Sequence, residues 1–173
     1  MAQAVTGRAG ITAGIREIGV HIPERVVTNQ DLEQTLDTSD QWIQDNIGVR
    51  TRRYAEPDDW TSDLGARALL DACARAGVAP DSVDLVICGT YTPDRMLPST
   101  AVTVMEKAGI SGTPGFDVNS GGCPGSVFAL EIGANFIASG AYRRVAVVLG
   151  DVSTKIFDPQ DRTVAVILSL IHI

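Results

Sequence analysis

Histidine is nearly missing from this chain, with only His21 and His172 among 173 residues, and cysteine is scarce, with Cys73, Cys88 and Cys123 and no CxxC pair. Together these shortages argue against a zinc site, and no metal is expected. An odd number of thiols without paired spacing fits reduced cysteines in a cytoplasm. No apolar run approaches the roughly 18 residues of a membrane span, so no membrane association is expected. The opening MAQAVTGRAG has no apolar signal core, so export is not expected, and residues 1–10 read as a short disordered lead. Positive charge is also short: the net charge is −7, which disfavours a non-specific nucleic-acid binder. Neither GxxxxGK[ST] nor a GxGxxG after a strand occurs, so nucleotide folds of those kinds lose support. Repeats, low-complexity segments and dividing linkers are lacking as well. The length suits one domain, or one complete set of layers from a larger one.

What remains is ordinary for an α/β protein: 45% hydrophobic and 20% charged residues. ITAGIREIGVHIP alternates loosely and predicts a first strand ending at Pro23. Thr28 or Asn29 can cap a short helix bearing Leu32 and Leu36. Ser39, Trp42, Ile43 and Ile47 predict a second helix, stopped by Gly48. WTSDLGARALLDACARAGV gives the clearest helix, capped by Thr61 or Ser62 and ended by Gly77. DLVICGT is short and continuously apolar, as a strand buried on both faces should be. A helix from Ser99 to about Lys107, a strand over 116–118, a small-residue helix over 124–139, a strand in RRVAVVLGDV and another starting at TVAVIL follow. Strands alternating with helices predict a mostly parallel sheet with helices on both faces. Two basic clusters, Arg50 with Arg52 and Arg53, and Arg143 with Arg144, are either solvated surface or a patch for an anionic partner.

The stretch FDVNSGGCPGSVFALEIG leaves a strand, passes two glycines, places Cys123 and starts a helix at once. One reading is a Gly-rich turn with a buried small residue. The other is a nucleophile at a helix N-terminus, where unpaired N–H groups and the helix dipole favour a thiolate and can stabilise an oxyanion. Cys73 on an apolar helix face and Cys88 inside a strand read as packing residues.

DTSDQWIQDNIGVRTRRY, FDVNSGGCPG and FDPQDR, in this order and separation, resemble the β-ketoacyl-acyl-carrier-protein synthase III family, initiating condensing enzymes of the thiolase superfamily. The resemblance runs from about Ile11 to Ile167. It implies the N-terminal half of the thiolase-like α/β/α/β/α layered fold, with a homodimer when full length. It implies that Cys123 accepts an acyl group from acyl-CoA, a substrate rather than a cofactor, and that the acyl group is then condensed with decarboxylating malonyl-acyl carrier protein. Trp42 matches the aromatic residue stacked on the CoA adenine, Arg162 the arginine on the opposite face of that ring, and Thr38 a polar contact to the nucleotide. Leu97 matches a residue reaching into the partner subunit's acyl pocket. Read without the family, Trp42 is a packing anchor, Arg162 pairs with Asp158 or Asp161, and Leu97 is an ordinary loop residue.

The chain departs from the family pattern at several points. Asn46 stands where a basic residue contacting CoA phosphates is often found, and Pro124 follows the nucleophile where a small residue is common. These departures leave room for a specialised acyltransferase or starter-loading relative in secondary metabolism. The family's catalytic His and Asn have no match here, so condensation by this chain alone is not expected. The closing LSLIHI equals an in-frame read-through of a transposase sequencing adapter, so residues 168–173 are expected to be a non-native tail after a domain spanning 11–167. Half of a layered fold exposes apolar surface, so self-association is expected. An inactive dimerisation or carrier-protein-docking fragment, using the arginine clusters, is the non-enzymatic alternative.

Overall fold

A computed structural model of the chain describes residues 12–120, 122–161 and 165. The parallel sheet is built from β3 (Leu85–Gly89), β4 (Gly115–Val118) and β5 (Val145–Leu149), in the order β4-β3-β5. Central β3 is buried along its whole length, which is why its sequence is apolar at every position. Alternation still sorts its two faces. Val86 and Cys88 pack with Val148 under α3 (Thr61–Ala76) and α4 (Thr100–Ala108), while Leu85 and Ile87 pack with Val147 and Phe116 under α5 (Pro124–Ala138). Gly125, Ala129 and Gly133 line the buried side of α5, so the helix lies close to the sheet. Its other side is uncovered: Val127, Phe128 and Leu130 are 67%, 54% and 41% exposed.

A second unit precedes this core. β1 (Arg25–Thr28) and β2 (Thr51–Tyr54) pair antiparallel, with Val27 opposite Arg52, and bracket α1 (Asn29–Glu33) and α2 (Asp40–Ile47). Thr28 caps α1 through a reciprocal box with Asp31. Ser39 caps α2, its Oγ accepting the Trp42 N–H, and Gly48 ends it with φ of 79°. Val27, Leu32, Leu36 and Ile43 form the buried cluster of this unit, joined by Ala165.

Three expectations need correction. Residues 13–23 form no strand. They lie against α3 instead, where the Val20 N–H donates to Asp71 (3.0 Å) and Arg16 donates to the Ala76 carbonyl (3.0 Å). Gly19 permits this contact, because a Cβ there would fall 2.2 Å from the Ala72 nitrogen. The cap of α3 is Trp60, whose N–H donates to Asp63, while the Thr61 and Ser62 hydroxyls bond Thr92 and Asp94. Thr51–Tyr54 is a strand that the arginine-rich sequence did not suggest. Arg52 belongs to no surface patch, being 3% exposed. The strand expected at TVAVIL, Arg162 and the tail 168–173 all lie outside the described residues, apart from buried Ala165.

Candidate functional site

β3, β4 and β5 end side by side, Gly89 being paired with Val118 on one side and Leu149 on the other. Polar loops leave from this one edge, the edge at which open parallel sheets collect their ligands. The β4 loop runs through Asn119, Ser120 and two glycines to Cys123. Gly122 has φ of 132°, a conformation that side-chain-bearing residues rarely adopt, and it turns the chain into α5. Cys123 is exposed, whereas Cys73 and Cys88 are buried. Burial, with the carboxylates of Asp117, Asp151 and Asp94 behind it, pushes the Cys88 thiol well above the usual thiol range, and burial pushes Cys73 up as well. Both therefore stay protonated packing residues, and Cys123 is the accessible sulfur.

Cys123 is not an ordinary cap. Its backbone is already helical (φ −49°, ψ −35°), unlike the extended caps of α1 to α4, and its side chain caps nothing. Pro124 removes one N–H from the first turn. The next two are engaged locally: Gly125 N–H donates to the Gly122 carbonyl (2.9 Å) and Ser126 N–H to the Cys123 carbonyl (3.3 Å). The Ser126 hydroxyl donates to that same carbonyl at 2.8 Å. The expected row of free amides behind the sulfur is thus reduced.

Behind this edge lies a buried polar network that sequence reasoning missed. Asp151, just after β5, accepts from the Thr90 hydroxyl (2.8 Å) and the Tyr91 N–H (2.7 Å). Thr92 accepts the Val152 N–H (2.8 Å) at its hydroxyl and the Thr61 hydroxyl (2.6 Å) at its carbonyl. Tyr91 and Ser153 share a hydroxyl–hydroxyl bond. This network locks the β3 and β5 loops together and gives the edge a stiff rim. The available signal was a polar residue directly after each apolar strand: GT, NS and GD.

Thr38 and Trp42 belong to the other cluster. Trp42 is half-buried against the α1–α2 core that contains Ala165, and Asn46 donates to its carbonyl at 2.9 Å. The Thr38 hydroxyl oxygen is buried without a hydrogen-bond partner. Leu97 stands 84% exposed beside Met96 in the loop before α4. A polar cleft lined by Thr28, Gln30, Asp40, Gln44, Arg50 and Thr51 includes none of the expected site residues. Among the described residues no three His, Cys, Asp or Glu side chains converge as metal ligands. No helix among them is long and apolar enough to cross a membrane.

A family model described as 3-oxoacyl-[acyl-carrier-protein (ACP)] synthase III matches residues 116–169. The chain is 41% identical over 154 residues to the β-ketoacyl-[acyl-carrier-protein] synthase III of Symbiobacterium thermophilum, covering 89% of this chain and 46% of that relative. It is 43% identical to the Aliarcobacter butzleri protein of the same name, with 88% and 46% covered. The crystal structure of the Aquifex aeolicus 3-oxoacyl-[acyl-carrier-protein] synthase III superposes with a TM-score of 0.86 at 34% identity, over 91% of this chain and 51% of that one. The priming β-ketosynthase of the R1128 polyketide pathway also gives 0.86, at 32% identity, over 91% and 47%. The chain spans about half the length of the curated relatives it matches.

Proposed function

Because this chain belongs to the β-ketoacyl-acyl-carrier-protein synthase III family and has the thiolase-like α/β fold over the length it shares with its relatives, we propose that it carries the acyl-accepting step of a condensing enzyme. Its substrate is acyl-CoA, no further cofactor takes part, and its setting is the cytoplasm. The Cys123 sulfur attacks the thioester carbonyl, a tetrahedral oxyanion forms, and the carbon–sulfur bond to CoA breaks. CoA leaves as a thiolate and takes up a proton, and the acyl group stays on Cys123. Condensation with malonyl-acyl carrier protein is assigned to the longer protein, since it needs His and Asn groups for which this chain has no match.

Thr38 and Trp42 are assigned to the CoA nucleotide, with Arg162 on the other face of the base. Leu97 is assigned to the acyl pocket of a second copy in a homodimer. Its exposure beside the similarly exposed Met96 supports that role. The observation that carries the whole reading is the one accessible thiol, placed past a Gly-only turn at the edge where three parallel strands end.

A specific likeness favours a second reading, that of a starter-loading relative, because a priming polyketide ketosynthase superposes as well as a synthase III does. The docking-fragment reading loses one of its arginines, Arg52 being buried. Incubation with acetyl-CoA and longer acyl-CoAs, followed by intact-mass measurement, tests the proposal. One acyl adduct in the native chain and none in Cys123→Ser is the expected result, and the preferred chain length separates the two enzymatic readings. Absence of an adduct with every thioester, in a folded protein, overturns it.

A further inference from the structure

Arg52 is the most deeply buried charge among the described residues at 3% exposure, and it has no carboxylate in contact. Its Nη2 donates to Asn29 Oδ1 (2.8 Å) and to the Ala165 carbonyl (3.5 Å). Its Nε and Nη1 have no hydrogen-bond partner. Burial pulls its pKa below the ordinary arginine value, with the opposing influence of Tyr54 second. A buried, half-satisfied guanidinium serves packing poorly, because an apolar side chain of similar size would carry no desolvation cost.

Its one firm partner leads directly to the start of α2. Asn29 opens α1 and uses its Nδ2 to donate to Asp40 Oδ1 (2.6 Å) and to the Val49 carbonyl (2.8 Å). Asp40 opens α2, two residues before Trp42, and its second oxygen accepts from Gln44 (2.8 Å). Cation and anion are thus joined through one amide, across the junction of β2, α1 and α2. The same guanidinium touches the backbone at Ala165, which is buried in the cluster that Trp42 packs against.

We propose that Arg52 is a positioning residue for nucleotide binding: through Asn29 and Asp40 it holds the start of α2, and with it Thr38 and Trp42, in the geometry that receives the adenine end of CoA. The inference rests on the assignment of Thr38 and Trp42 given above. It predicts that the site responds while the fold changes little. Arg52→Met removes an uncompensated buried charge but leaves the buried Asn29 Oδ1 without its donor, so the two effects offset and the melting temperature should change little. CoA affinity should fall by about tenfold, the scale of one lost charge-assisted hydrogen bond. Asn29→Ala, which keeps Arg52 but cuts the link to α2, should weaken CoA binding to a similar extent. Labelling of Cys123 by acetyl-pantetheine, the thioester without the nucleotide, should not change in either variant.

Calorimetric titration of the 173-residue chain with CoA, melting curves and intact-mass kinetics with acetyl-pantetheine read these quantities. Weaker CoA binding at a melting temperature that changes little, with pantetheine labelling intact, supports the proposal. Loss of CoA binding, labelling and melting temperature together shows a role in folding alone and overturns it, as does unchanged CoA affinity. A native chain that binds no CoA overturns it along with the nucleotide assignment. One that binds CoA but never acylates refutes only the acyl-transfer reading, and CoA binding in the variants then decides the role of Arg52.

Discussion

Gly122→Ala isolates one physical cause at the thiol loop. Space is not the obstacle, since a Cβ built at Gly122 meets nothing within 4 Å. The obstacle is φ of 132°, which an alanine reaches only under strain of roughly 1–3 kcal/mol. The protein has two ways to respond. It can keep the loop and lose that amount of stability, or relax the loop and move Cys123 while the fold stays intact. Converted to rates, the second response is about 5- to 160-fold in any reaction that depends on the native placement of the sulfur.

The two responses are measured together, by urea unfolding and by iodoacetamide modification of Cys123, the only exposed thiol. Gly125→Ala serves as the contrast. It has no positive φ, and the one tight contact of its Cβ would be the Ser120 hydroxyl oxygen at 3.1 Å, a side-chain end that can shift, with the Val118 carbonyl at an ordinary 3.8 Å. Gly122→Ala should therefore change stability, modification rate or both, and by more than Gly125→Ala does. If Gly122→Ala matches the native chain in both measurements, the turn is not strained for alanine, and the account of how the loop presents Cys123 fails.

Three further outcomes follow from the same contacts. Phe128→Glu should reduce self-association seen by analytical ultracentrifugation. Covering Val127, Phe128 and Leu130, each roughly half exposed, is worth on the order of 3 kcal/mol, or about 100-fold in an association constant. Asp117→Ala should cost about 1–2 kcal/mol in urea unfolding. That carboxylate, reaching over from β4, accepts the Thr100 (2.7 Å) and Ala101 (2.8 Å) N–H groups at the start of α4, where Ser99 makes no side-chain cap. Asp71 titrates below its ordinary 3.8 because it accepts the Val20 N–H and, less strongly, pairs with Arg75. Its hold on residues 13–23 is full above 3.8 and lost as pH falls through the lower folded value. Protection of the Val20 amide relative to its intrinsic exchange rate should therefore fall below that pH, and Asp71→Asn should remove that pH-dependent step.

Local signals were readable wherever one segment contained both the cause and its consequence. Ser39 and Gly48 flank α2, and the unbroken apolar run of β3 reports burial on both faces. Reading failed where the cause sits on another element. Residues 13–23 alternate like a strand, yet Ile15, Ile18 and Ile22 are exposed. A glycine backbone against α3 holds them there, more than 45 residues downstream. Thr61 and Ser62 carry good capping hydroxyls, but Thr92 and Asp94 draw these away, so Asp63 and the Trp60 N–H make the cap. The Thr90–Asp151 bond spans 61 positions and exists only because β3 and β5 are neighbours.

These failures share a consequence for the site. The thiol loop was legible because its glycines and cysteine are contiguous, whereas the polar network that joins the β3 and β5 loops and the link from Arg52 to α2 are assembled by the sheet and the helix junction. α5 ties the two kinds of information together. Its small residues at 125, 129 and 133 set its depth on the sheet, and its first turn carries Cys123. A Cβ at Gly133 would meet Val147 at 3.2 Å and Val145 at 3.4 Å, so bulk added there must lift the helix or displace the valines. Such a change, ten residues from the sulfur, acts on the thiol through packing alone, by shifting the helix that holds it relative to the edge where β3 and β4 end.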